Sequence, residues 1–230
     1  MSEDEAHAAL EEVVQALARK VASLEARVQA LEAHTAPPTP EEGEVLDRLL
    51  RDAQEAYHAL DLDTARAKLA EIRPRMHWNT SALMEVQRLE DHVLVIGREE
   101  RPLDAERWYV GDAGAARGGV LTIYVFWEMY VMYSVRELPK LQALWERWQG
   151  RGLRMVAVTR QMRGDPDERV AAFVADEGLT FPVAKVGSRE LHDHYRVKGL
   201  PDAAITRGAR VVWRGHPARI TDGLLERLLA

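Results

Sequence analysis

Between residues 10 and 31 the apolar side chains recur at alternating steps of four and three: Leu10, Val14, Leu17, Val21, Leu24, Val28 and Leu31. That spacing predicts a helix over residues 8–34 with a narrow heptad stripe, Val at a and Leu at d. Lys20 and Arg27 fall at g positions, and Glu25 and Glu32 at the following e positions. In a parallel, in-register pair each g cation meets an e anion of the partner, whereas antiparallel pairing brings like charges together. β-Branched a residues with Leu at d favour two strands. A homodimer through residues 8–34 is therefore expected. Three strands stay open, and a single helix lying on its own domain is the competing reading.

Pro37, Pro38 and Pro40 break this pattern and predict a semi-rigid linker over residues 35–43. Residues 44–97 return to helical spacing. Val45, Leu46, Leu49, Leu50, Ala53, Ala56, Tyr57 and Leu60 form one wide apolar face; Ala65, Leu69 and Ile72 follow, then Leu83, Val86, Leu89, Val93 and Ile96. Asp61 or Asp63 suits the cap of the second of these helices, and Asn79, Thr80 or Ser81 that of the third. The segment looks like one tetratricopeptide-type hairpin. A single repeat has no neighbour to bury its face against, so it reads as a spacer or docking element.

From residue 98 the chain is loop-like, with a short strand at 107–110. Then the period changes. A β-rich run at 120–127 is followed by a helix to about 149, a strand at 153–158 and a helix at 165–176. A strand at 181–186, a short helix at 188–195, a hairpin about Gly208 and a last helix at 221–229 complete the order. This succession predicts an α/β domain over residues 98–230, a central mixed sheet with helices on both faces.

Composition narrows the function. The chain has 230 residues, 47% hydrophobic and 30% charged, an ordinary soluble balance; its net charge of −6 provides no phosphate-neutralising field, so nucleic acid is not an expected partner. It has no cysteine, which excludes disulfides, thiolate metal sites and any dithiol within the chain. The acidic start and the lack of an eighteen-residue apolar run argue against a leader or a membrane partner, and the cytoplasm is the expected compartment. Neither a metal nor a cofactor is expected. His192 and His194 are two apart and do not face one another on a helix, and the glycines at 111–119 precede a strand instead of following one.

Two stretches carry a family resemblance. One is Phe126-Trp127-Glu128-Met129-Tyr130-Val131-Met132-Tyr133-Ser134 with Glu137-Leu138-Pro139 after it; the other is Tyr195-Arg196-Val197-Lys198-Gly199-Leu200-Pro201. With the closing hairpin they resemble the TlpA-like branch of the thioredoxin fold over roughly residues 100–230. The resemblance implies a cis-proline at Pro201 and a CxxC dithiol at the start of the first domain helix. Here Val131 and Ser134 stand at the two cysteine positions, Met132 replaces the usual proline, and Val125 stands where family thioredoxins often place an acid. Nucleophile, resolver and relay are all gone, which argues against a thiol–disulfide enzyme working through its own residues. The expected function is a cysteine-free, redox-inactive, homo-oligomeric interaction module or scaffold. Two alternatives stay open: an oxidoreductase-family protein kept active by a partner or cofactor, and a chaperone-like peptide binder using the cis-proline loop. For binding, the candidate surface is Trp127, Tyr130, Met132, Tyr133, Leu200 and Pro201; simple packing of these residues is the competing reading.

Overall fold

Thirty-three residues without proline or glycine form one uninterrupted helix, α1 (Glu3–Thr35). The computed structural model describes residues 3–35, 39–75, 80–114, 118–161 and 166–230. The chain divides into two compact units, residues 1–90 and 91–230.

In the first unit, α2 (Pro40–His58) starts inside the segment expected to be linker. Pro40 sits at the first helical position, where its missing N–H is harmless. Thr39 closes a reciprocal capping box: its Oγ1 accepts from Glu42 N at 3.2 Å and its own N–H donates to Glu42 Oε2 at 2.9 Å. Asp61 caps α3 (Leu62–Ile72), accepting from Thr64 N at 3.1 Å. Leu46, Leu49, Leu50, Ala53 and Tyr57 of α2 are buried, as are Ala65, Leu69 and Ile72 of α3. Lys68 reaches Asp52 at 3.5 Å across the hairpin. The third helix, α4, is Thr80–Val95. The cap expected at Asn79, Thr80 or Ser81 rests on residues or side chains outside those described.

The second unit holds β1 (Arg107–Val110), β2 (Leu121–Phe126), α5 (Met132–Trp148), β3 (Leu153–Thr159), α6 (Asp167–Asp176), β4 (Val183–Lys185), α7 (Glu190–His194), β5 (Asp202–Arg207), β6 (Arg210–Gly215) and α8 (Asp222–Leu229). The sheet order is β1-β4-β3-β2-β5-β6. β2, β3 and β4 run parallel; β5, β6 and β1 pair antiparallel. All six residues of β2 are buried, as a central strand covered on both faces requires. Tyr124 and Phe126 belong to a core with Val156, Val158, Leu191, Tyr195 and Val197; Ile123 and Val125 alternate to the opposite face. β5 and β6 join through Gly208 and Ala209, both at positive φ (57° and 60°), as a two-residue turn matched to strand twist demands. Asp222 receives Trp148 Nε1 at 2.5 Å and Arg147 at 3.2 Å, fastening the start of α8 to the end of α5.

Candidate functional site at the carboxyl end of β2

β2 ends at Phe126, paired with Asp202 at the start of β5. That register sets Pro201 at the carboxyl end of β2, where residues 127–131 lead into α5. The Leu200–Pro201 peptide is cis. Trp127 N extends the ladder to Val158 O at 3.1 Å, and a tight turn follows, Val131 N donating to Glu128 O at 3.1 Å.

Val131 is the N-cap of α5 and supplies no side-chain cap; Ser134 N and Val135 N both donate to its carbonyl. Ser134 is buried, and its Oγ has no hydrogen-bond partner among the described residues. An alcohol becomes a nucleophile only with a base within hydrogen-bond reach. Ser134 has none, and Val131 has no ionisable group.

The expected binding residues separate. Met132 and Tyr133 are 63% and 69% exposed, and the Arg136 guanidinium lies 6.0 Å from the Tyr133 ring. Tyr130, Val131 and Leu200 are half-buried, and Pro201 is buried. Trp127 does not belong to an exposed surface: it is fully buried and stacks on Phe173 at 5.9 Å. It continues a strand whose two faces are both covered, so the residue after Phe126 also points into the core.

Three groups that support this end of the sheet were not legible in the motifs. Glu128 is buried, and its Oε1 accepts from Arg160 N at 2.8 Å, tying the residue after Trp127 to the end of β3. Arg214 is fully buried; its guanidinium donates to Asp202, to Tyr195 O at 2.6 Å and to Arg196 O at 3.2 Å. It therefore clamps the chain on both sides of the 197–201 loop. Burial pushes the Asp202 carboxyl up, against the pull of Arg214. Asp91 closes the loop from α4: its Oδ1 accepts from Arg196 Nε at 2.5 Å, and its Oδ2 forms an ion pair with Lys198 Nζ at 2.5 Å. Burial works to raise its pKa, but hydrogen bonds from Lys198 and Arg196 prevail and hold it below the ordinary range. The sequence carried no periodic signal for a charge at position 214.

His192 lies under the same end of the sheet, edge-on to Phe126 at 4.9 Å, and its Nδ1 has no hydrogen-bond partner among the described residues. Burial, reinforced by the charge of Arg160, lowers its pKa to about 4. His194 turns elsewhere, its Nε2 2.8 Å from Glu99 O. Among the described residues no three His, Asp or Glu side chains gather as a metal site would need, and no helix is long and apolar enough to cross a membrane. At the opposite end of β2 a concavity of about 460 Å³ is lined by residues including Glu100, Trp108 and Tyr124.

A sheet of this order, with a helix springing from the end of the central strand and a cis-proline on the neighbouring one, is a thioredoxin-like domain. No family model matches the sequence. It is 24% identical over 104 residues to the thiol-disulfide oxidoreductase ResA of Halalkalibacterium halodurans, a match over 45% of this chain and 57% of that one. The chain thus spans little more than half the length of that relative. The solution structure of a thioredoxin-like protein in the oxidized form superposes with a TM-score of 0.50 at 18% identity, over 59% of this chain and 96% of that one. The chain thus has a thioredoxin-like fold, is similar over part of its length to a thiol-disulfide oxidoreductase, and contains no cysteine.

Proposed function

We propose that this chain is a redox-inactive thioredoxin-like interaction module, one that holds protein partners without exchanging disulfides. The observation that carries the reading is the pairing of an intact framework with absent chemistry. The cis Leu200–Pro201 loop and its Arg214–Asp202 clamp are in place, while the two dithiol positions hold Val131 and a sealed Ser134. An insulin-reduction assay with dithiothreitol tests it. Wild-type turnover should equal buffer, and the double variant Val131→Cys/Ser134→Cys should raise it; wild-type turnover above buffer would overturn the reading.

A peptide-binding role is the second reading, supported by the exposure of Met132 and Tyr133 at the start of α5 and by a half-buried Leu200 before the cis-proline. The backbone edge of a cis-proline loop offers main-chain hydrogen bonds to an extended peptide, and the apolar neighbours offer selectivity. On a peptide array Met132→Asp or Leu200→Asp should abolish binding. Retention by both variants would remove this role while leaving the first reading standing.

A further inference from the structure

Among the described residues of the first unit, α1 presents an uncovered face. Every residue with a described side chain between 12 and 29 is exposed, including the a and d positions Val14, Leu17, Val21, Leu24 and Val28 at 49–57%. Within residues 1–90, no described residue covers these positions. The side chains of Leu10 and Leu31, the outer members of the stripe, lie outside those described. Isolated helices gain little from propensity alone, and a row of apolar side chains in water adds nothing to hold one together.

The charges beside the stripe indicate what covers it. Every charged g position between 13 and 27 is a cation, Lys20 and Arg27, and each faces an anion five residues on, Glu25 and Glu32. Another chain with this same pattern, running parallel and in register, satisfies all of them at once. An antiparallel copy sets cation against cation and anion against anion. We infer that α1 is a self-association element which pairs with α1 of a second copy of this chain as a parallel, in-register, two-stranded coiled coil, with Val14, Leu17, Val21, Leu24 and Val28 in the seam. This goes beyond the interaction-module reading and does not depend on it.

The lack of native cysteine makes the test clean, since any introduced thiol reports alone. The full chain should sediment at twice its mass at micromolar concentration; a monomer, or a trimer, overturns the inference. Leu24→Cys, oxidised under mild conditions, should cross-link to a dimer on a non-reducing gel. Parallel register puts the two thiols opposite one another, whereas antiparallel packing sets d against a and puts Leu24 opposite a valine. Dimeric mass without that cross-link overturns the parallel arrangement. Leu17→Glu/Leu24→Glu should reduce the full chain to monomer with an unchanged far-ultraviolet signature for the 91–230 unit; a variant that stays dimeric shows that the contact lies elsewhere. Insulin reduction is unaffected by any of these outcomes, so the two proposals fail separately.

Discussion

His192 shows what one buried side chain does to the behaviour of the protein. It is held neutral by burial and by the charges of Arg160, Arg189 and Arg214, with Asp193 opposing. An imidazole with a folded-state pKa of about 4 against an unfolded value of 6.5 binds its proton more readily when unfolded. Stability from this group is complete above pH 6.5 and falls as the pH drops toward 4, by about 3 kcal/mol in all. Asp91 adds acid sensitivity lower down, because its depressed pKa makes its contribution fade below the ordinary carboxylate range. Urea denaturation between pH 7 and 4 should show the midpoint falling for wild type and falling less for His192→Gln. Parallel profiles would show that the site does not titrate as described. None of this was legible in the sequence. His192 attracted notice only as half of a poor metal pair, since a histidine's burial depends on neighbours from β2 and α7 that local spacing does not bring together.

At the scale of elements, the sequence was read well where one periodicity ruled and poorly where two effects competed. The hairpin about Gly208 follows from turn chemistry, and the short strand at 107–110 forms where it was expected. Trp127 is the instructive miss. On a half-covered sheet, alternation separates inside from outside; on a central strand buried on both faces, parity gives no exposed set, and a residue beside the site motif is still core. The start of α2 is a different error. Thr39-Pro40-Glu41-Glu42 already holds both the capping box and a first-turn proline, and three clustered prolines obscured it. Thr39→Ala removes the acceptor for Glu42 N and should cost about 1 kcal/mol, read as a lower urea midpoint for unfolding of the first unit. An unchanged midpoint would mean that water replaces the cap at no loss.

At the scale of the whole molecule, the fold of residues 91–230 was legible because its marks are local: the residues around Trp127, the Leu200–Pro201 loop and the closing turn. The means by which that loop is held were not, because the Arg214–Asp202 pair and the Asp91 contacts join α4, β5 and β6 across the chain. The site retains one element of sulfur chemistry even so. Met132 begins α5 with its thioether in solvent. Peroxide acts on an accessible methionine and turns a flexible apolar side chain into a polar, chiral sulfoxide. Among the described methionines Met132 and Met84 are exposed and Met155 is fully buried, so peptide mass mapping after mild peroxide should find the first two modified well before the third. A chain without thiols therefore still offers peroxide an exposed sulfur at the start of α5, where oxygen addition makes the patch beside Tyr133 polar and reduction of the sulfoxide restores it.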